Sequence, residues 1–386
     1  MLTVLHVAQA SEDGVARVVT DLAEAQVASG ARVAVACLPD SRLAAAAADK
    51  GAEVLLWQAR RAPGPTLLGE VADLRGIIRR VGPDVVHLHS SKAGLAGRLA
   101  LRGRRPTVFQ PHAWSFEAVT GLLRVASVRW ERAGARWAHR VVCVSEGEHQ
   151  RGVAAGVRAP YTTVRNGVAL DHFASATAPS REQARAWLGI AASTPLVVCV
   201  ARLCRQKAQD VLLAAWPEIS ERISGARLVL VGDGPDRAAL EARAPETVSF
   251  VGGVTDPRDW YIAADVVTLP SRWEAGMALA PMEAMACARP VLVTDVPGVR
   301  ESLPAAQASR VLMPPDDVRA LSAALTALLS DRAACDALGR QARAYVCRHR
   351  DVHRTVERMY AVYEEARIAW DASRRPPGRP TPGGRP

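Results

Sequence analysis

Residues 265–295 read DVVTLPSRWEAGMALAPMEAMACARPVLVTD. DVVTLP and RPVLVTD are short β-branched runs of the kind that fill buried strands. Between them, APMEAMACA is built from strong helix formers, and Pro281 suits a first helical turn. A strand, a loop, a helix and a second strand make a βαβ unit, which requires a parallel sheet. Two glutamates, Glu274 and Glu283, stand on either side of the loop-to-helix turn.

The same rhythm extends outward. LVVCVARL, ARLVLVG and VSFVGG precede this unit as strands. In the first part of the chain, residues 3–8, 32–38, 53–57, 84–88, 107–111 and 140–144 are β-rich. Helical patterns such as GVARVVTDLAEAQVASG and PTLLGEVADLRGIIRRVG separate them. The alternation pauses at VRNGVALDHFASATAPS, residues 164–180, where Asn-Gly and Pro-Ser signal turns. The expectation is an α/β chain of two Rossmann-like domains, 1–172 and 173–350, with strand C-termini around a shared cleft. After residue 316 the pattern is helical, and 351–370 sets Val352, Val356, Met359, Tyr360 and Tyr363 on one helical face. The Pro-, Gly- and Arg-rich tail, 371–386, reads as disordered.

Bulk properties agree. A length of 386 residues fits two domains, and 49% hydrophobic content excludes general disorder. The apolar runs are too short and interrupted for a spanning helix. MLTVLHVAQA carries no basic stretch and reads as a first strand, not a signal peptide. Seven cysteines without a CxxC, with Cys37, Cys143 and Cys199 inside strand-like runs, fit a reduced, cytoplasmic setting.

The net charge of +10 is concentrated in the first 171 residues and the tail. It reads equally as a surface facing membrane lipid or a phosphorylated substrate, or as arginines scattered over solvated faces. In LLRVASVRWERAGARWAHR, residues 122–140, Arg129, Arg132, Arg136 and Arg140 share one helical face. Ala126, Trp130, Ala133 and Trp137 form another. This is a surface helix with its tryptophans inward, or a basic rim for an anionic acceptor or a membrane at its inner face. No nucleic-acid recognition motif accompanies the charge.

The strand ends are where chemistry is expected. LVVCVA runs into RLCRQK, where Arg202 offers a planar fork and Lys207, one of the chain's three lysines, a compact charge. Five residues apart, they suit a diphosphate leaving group; the plain alternative is two solvent-facing cations. In LVLVGDGPDRAAL, Gly232 and Gly234 let a backbone approach a nucleotide closely. At the opening stretch, small residues bare the N–H groups of a helix start, an anion site. Glu283, read in the first turn, and Glu274, on the loop, would grip sugar or ribose hydroxyls. Otherwise Glu283 complements the helix dipole and Glu274 is merely exposed.

In QPHAWSF, His112 lies just past a strand with Trp114 and Phe116 suited to stacking on a sugar. The plainer reading is a histidine bonded within its own loop. His87 and His89 alternate on a strand end, but no acidic or sulfur partner completes a metal site. They read as structural or acceptor-facing.

PSRWEAGMALAPMEAMACARPVL resembles the signature of the family 4 retaining glycosyltransferases, which share the GT-B fold. ARLCRQKAQDVLLAAW, LVLVGDGP, VSFVGG, DVVHLHSSKAGLAGRLA and VRNGV match further blocks in the family's order, over about residues 1–370. The resemblance implies that Arg202 and Lys207 hold a donor diphosphate, Glu283 the nucleotide ribose and Glu274 the transferred sugar. Gly276, Met277, Ala278 and Leu279 would line the donor site, with Thr294 a weaker candidate. It also implies that His112 lies close to the sugar and that residues 351–370 pack back on the N-terminal, acceptor-binding domain.

Two departures stand out. AGMALAPM leaves eight residues between the glutamates where seven are usual, the extra one near Ala275. The usual Gly-Gly pair of the first loop is replaced by SerGluAspGlyVal, so Gly14 alone carries the expected approach to phosphate. The implied activity is retaining transfer from a nucleotide-diphosphate sugar, UDP- or GDP-linked, to a sugar, lipid-linked or small-molecule hydroxyl, in polysaccharide, glycolipid or metabolite synthesis. No metal or other cofactor is expected, since no DxD occurs. A sugar-nucleotide epimerase of the same fold and a catalytically inactive binding homologue are the alternatives.

Overall fold

The computed structural model describes residues 1–10, 14–174, 179–274 and 276–374. The chain divides into two compact units. The first contains Met1–Cys143, Arg151–Val164 and the chain from Val356 onward; the second contains Val144–Gln150 and Arg165–Thr355.

In the first unit, seven parallel strands are found among the described residues: β1 (Thr3–Ala8), β2 (Arg32–Cys37), β3 (Glu53–Leu56), β4 (Val85–His89), β5 (Thr107–Gln110), β6 (Arg140–Cys143) and β7 (Tyr161–Thr163). They lie in the order β3-β2-β1-β4-β5-β6-β7. β1 is fully flanked, and its run Val4, Leu5, Val7 and Ala8 has no exposure, as a strand covered on both faces requires. The order reverses between β1 and β4, the switch point at which open α/β sheets bind ligands.

The glycines of HLHSSKAGLAGRLA have a packing reason. The helix Ser90–Leu101 lies so close to the sheet that a Cβ on Gly94 would stand 2.3 Å from the Phe109 ring, and one on Gly97 2.3 Å from Leu88 Cδ2. Gly94→Ala is expected to cost about 1–3 kcal/mol, the usual penalty for overpacking. Denaturant unfolding measures it, and an unchanged midpoint contradicts the packing account.

The second unit repeats the plan with β8 (Leu196–Val200), β9 (Arg227–Val231), β10 (Val248–Gly252), β11 (Val266–Leu269), β12 (Val291–Thr294) and β13 (Leu312–Met313). The order is β10-β9-β8-β11-β12-β13, again all parallel, with its switch point between β8 and β11. Its core spans both faces of the sheet, with Met282, Met285 and Tyr261 on one and Leu212, Trp216 and Leu325 on the other.

Several expectations need correction. The boundary expected at 172/173 falls at 164/165, because Val168 bridges Asp351 and its N–H donates to the Arg350 carbonyl at 2.7 Å. The Asn-Gly pair is accordingly no free turn: a Cβ on Gly167 would lie 2.5 Å from Val352 Cα. β7 and β13 are too short to stand out in the sequence. The final helix, Val352–Arg374, runs four residues into the expected tail, whose remainder lies outside the described residues, as does Ala275. Its residues Val356, Met359 and Tyr363 are buried within the first unit.

The basic helix also stops early. It spans Gly121–Gly134, and Arg140 is the first residue of β6, paired with Glu365 at 2.8 Å, not part of a basic face. Leu122 and Leu123 are exposed at its start, and the guanidinium of Arg98 lies 5.2 Å from the Trp130 ring.

Candidate functional site

At the switch point of the second sheet two strand-end loops meet. After β8 the chain makes a short 3₁₀ turn, Arg205–Lys207, ended by Ala208 in a left-handed conformation (φ 52°). After β11 it runs through Ser271–Glu274 towards the helix Leu279–Ala286. The loops are tied backbone to backbone by Arg272 N–H donating to the Gln206 carbonyl at 2.9 Å. Gln206 returns a bond from Nε2 to the Trp273 carbonyl at 3.1 Å.

Arg272 is the principal brace. Its guanidinium donates to both carboxylate oxygens of Asp210, at 2.9 and 2.7 Å, to the Arg205 carbonyl at 2.8 Å, and pairs with Asp316 at 2.6 Å. A bidentate fork of this kind fixes direction as well as distance. The Arg272 bond holds the Asp210 carboxyl below its usual range.

This bracing brings Lys207 and Glu274 together. Lys207 Nζ donates to Glu274 Oε1 at 2.6 Å, and Ser271 Oγ donates to the same oxygen at 2.6 Å. Glu274 is buried, not exposed, and the lysine side chain keeps 18% exposure. A buried carboxylate is tolerable only when so paired. The cation expected to hold phosphate and the carboxylate expected to hold a sugar are thus immediate neighbours. Arg202, at the same strand end, is half-buried.

Glu283 is the fifth residue of its helix, past the first turn in which it was expected. The dipole alternative therefore loses its basis, since that effect fades beyond the first turn. Glu283 is buried and accepts a bond from Tyr261 Oη at 2.9 Å. Thr294 is also buried, and its hydroxyl donates to the Ser271 carbonyl at 2.5 Å, so it positions the Glu274 loop instead of lining a pocket.

The glycines divide similarly. A Cβ on Gly232 would lie 2.0 Å from the Ala201 carbonyl oxygen, and one on Gly234 2.2 Å from that of Leu203. Their smallness lets the Gly-Asp-Gly turn press on the Arg202 loop, which accounts for them without a nucleotide. Gly276 faces Val144 in the same way, Met277 is buried, and Ala278 and Leu279 are half-buried at the helix start. Gly14 opens the helix Gly14–Ala28 with open space where its Cβ would be. Asp210, Tyr261, Ser271 and Arg272 were not foreseen. Arg272 directly before the Trp-Glu pair and Ser271 three residues before Glu274 were usable signals; Asp210 and Tyr261 act through contacts distant in sequence.

The model of Glycosyltransferase Family 4 matches residues 13–172, and that of Glycosyl transferases group 1 matches residues 194–331. D-inositol 3-phosphate glycosyltransferase 1 of Catenulispora acidiphila is 30% identical over 331 residues, covering 78% of this chain and 77% of that one. The chain belongs to the family 4, group 1 glycosyltransferases. A GDP-mannose-dependent monoacylated phosphatidylinositol monomannoside mannosyltransferase of Corynebacterium glutamicum is 29% identical over 204 residues, 50% of this chain and 53% of that one. The match thus spans about half the length of that relative.

Anabaena HepE, solved with UDP and glucose, shares the fold at TM-score 0.82 and 20% identity, covering 94% of this chain and 100% of that one. Sucrose-phosphate synthase from Thermosynechococcus elongatus gives TM-score 0.78 at 22% identity, covering 96% and 100%. The fold of this glycosyltransferase family member is GT-B. No helix among the described residues is long and apolar enough to cross a membrane.

The first unit's switch point holds a cluster of histidines. β1 and β4 pair in a register that sets His6 beside His87, and His89, two residues on, shares that face. The three rings are fully buried, and their ligand atoms lie within 4.8 Å of one another. The third partner absent from the sequence reading of His87 and His89 is therefore His6, on another strand. His112 joins through His89, Nδ1 to Nε2 at 3.0 Å, so it bonds outside its own loop. It has φ 56°, unusual for a non-glycine residue. Trp114 and Phe116 are buried and stack on each other, which removes them as platforms for a sugar.

Burial lowers the pKa of His6 to about 4 and those of His87 and His89 well below the ordinary value. Between about pH 6.5 and 4 the unfolded chain therefore binds protons that the folded chain refuses. Stability is full above that window and falls as pH drops through it, by about 1.4 kcal/mol per pH unit for each fully buried histidine. Denaturant unfolding at pH 7.5 and 5.5 measures this; equal stabilities contradict the neutral cluster.

Proposed function

We propose that this chain is a retaining glycosyltransferase that moves a sugar from a nucleotide diphosphate to an acceptor hydroxyl. The observation that carries the reading is the Lys207–Glu274 pair braced at the second sheet's switch point, with Arg202 at the same strand end. Lys207 and Arg202 would take up negative charge as the diphosphate leaves, the electrostatic contribution that dominates such reactions. On binding, Lys207 would exchange Glu274 for phosphate oxygens, freeing Glu274 to accept from a sugar hydroxyl. Glu283, oriented by Tyr261, would accept from the ribose. Gly276–Leu279 would offer backbone N–H groups to phosphate. His112 would contact a hydroxyl of the transferred sugar or acceptor.

No side chain in this set is required as a dedicated base. The acceptor proton passes to the leaving diphosphate as the acceptor oxygen bonds the anomeric carbon from the same face. The donor is a UDP- or GDP-sugar: a relative is named GDP-mannose-dependent, and a fold neighbour was solved with UDP. The acceptor is a sugar, a glycolipid or a small polyol.

The test incubates the protein with labelled UDP-glucose and GDP-mannose in a chelating buffer, with polyol and lipid-linked acceptors. The reading predicts an α-linked product from an α-donor, with release of nucleoside diphosphate. Donor consumed without acceptor points to the epimerase alternative. No turnover of either donor, with nucleotide bound, points to the inactive homologue.

A further inference from the structure

Four side chains of the first unit form one hydrogen-bonded row. Gln26 Oε1 lies 2.9 Å from His6 Nε2, His6 Nδ1 lies 2.9 Å from His89 Nε2, and His89 Nδ1 lies 3.0 Å from His112 Nε2. A neutral imidazole has one N–H and one lone pair, so a ring that accepts at one nitrogen must donate at the other. The direction of any one bond in the row therefore fixes all the rest. Burial keeps these rings neutral near pH 7, so no extra proton breaks the rule.

The direction is set at the Gln26 end. Its amide nitrogen donates to Tyr363 Oη at 3.1 Å, which turns its oxygen towards His6. His6 then donates from Nε2 and accepts at Nδ1. His89 donates from Nε2 and accepts at Nδ1, and His112 donates from Nε2. The second branch agrees: Tyr363, accepting from Gln26, donates its proton to His87 Nδ1 at 2.9 Å. The reverse direction would flip the amide and all four rings together.

The row ends at a half-buried residue whose Nδ1 has no partner among the described residues. Backbone strain marks the same end, at His112 (φ 56°) and at Ser90 (φ 69°) directly after His89. Such conformations persist only where the surrounding structure holds them in place.

We propose that Gln26, His6 and His89 are positioning residues that hold His112 as its Nε2–H tautomer and so present Nδ1 as a hydrogen-bond acceptor to a carbohydrate or polyol hydroxyl. The ligand part rests on the reading of His112 given under Proposed function; the tautomer part does not. Tyr363, from the final helix, sets the direction of the row. The same three rings, His6, His87 and His89, offer geometry for a cation. Metal binding would take ring nitrogens that the row uses, so the two occupancies exclude each other.

The experiment is long-range ¹H–¹⁵N NMR of histidine-labelled full-length protein at pH 7, with metal analysis of the same sample. The proposal expects His6, His89 and His112 all as Nε2–H tautomers and less than a tenth of an equivalent of metal. His112 as the Nδ1–H tautomer, or one equivalent of bound metal, overturns it. His89→Gln is then expected to leave nucleotide affinity unchanged, mix the two His112 tautomers and lower kcat by about tenfold, as loss of alignment does. A His89→Gln protein with a single unchanged His112 tautomer overturns the relay. If that variant does not fold, the wild-type tautomers decide alone. If no nucleotide sugar is turned over, the functional reading fails while the tautomer result stands.

Discussion

Lys207→Ala is expected to lower kcat/KM for sugar transfer by about 10²–10³, the usual effect of removing one preorganised charge from a developing anion. Lys207 is the cation best held for that task, in a turn clamped by Gln206, Arg272 and Asp210. The substitution also leaves Glu274 buried with Ser271 as its close remaining donor. That unpaired carboxylate costs about 1–3 kcal/mol of stability. The two effects separate in the double variant Lys207→Ala with Glu274→Ala, which removes both charges. Stability returns towards wild type, and activity does not. Wild-type kcat/KM in the single variant would remove Lys207 from the chemistry.

Glu283→Ala is expected to weaken nucleotide binding by about 10- to 100-fold, the worth of a hydrogen bond to a charged acceptor. It also removes the acceptor of the Tyr261 hydroxyl bond at this buried site. Tyr261→Phe is the control, because it keeps the carboxylate and loses only its orienting bond. Titration calorimetry should rank wild type above Tyr261→Phe, and Tyr261→Phe above Glu283→Ala. Equal affinities for all three would mean that Glu283 serves the core alone.

Both βαβ sets were readable because buried parallel strands leave continuous β-branched runs, and eleven strands of the two sheets follow them closely. The candidate site was readable as residue types but not as contacts. Lys207 and Glu274 stand 67 positions apart, and only the β8–β11 adjacency brings their loops together. The histidine row depends on the β1–β4 register, which periodicity does not encode. Gly232 and Gly234 looked like ligand-facing glycines because a tight turn against a loop and one against phosphate require the same residue. Glu283 was expected in the first turn because Pro281 suggested a helix opening near residue 280, whereas the helix starts at Leu279 and makes Glu283 its fifth residue.

The most direct test of the donor site is titration calorimetry of UDP and GDP into wild-type and Lys207→Ala protein, in buffer containing a chelator. The account predicts that one of the two nucleotides binds wild type at one equivalent without metal, and that Lys207→Ala loses this binding. No binding of either nucleotide, binding that needs a divalent ion, or affinity that Lys207→Ala retains would contradict it.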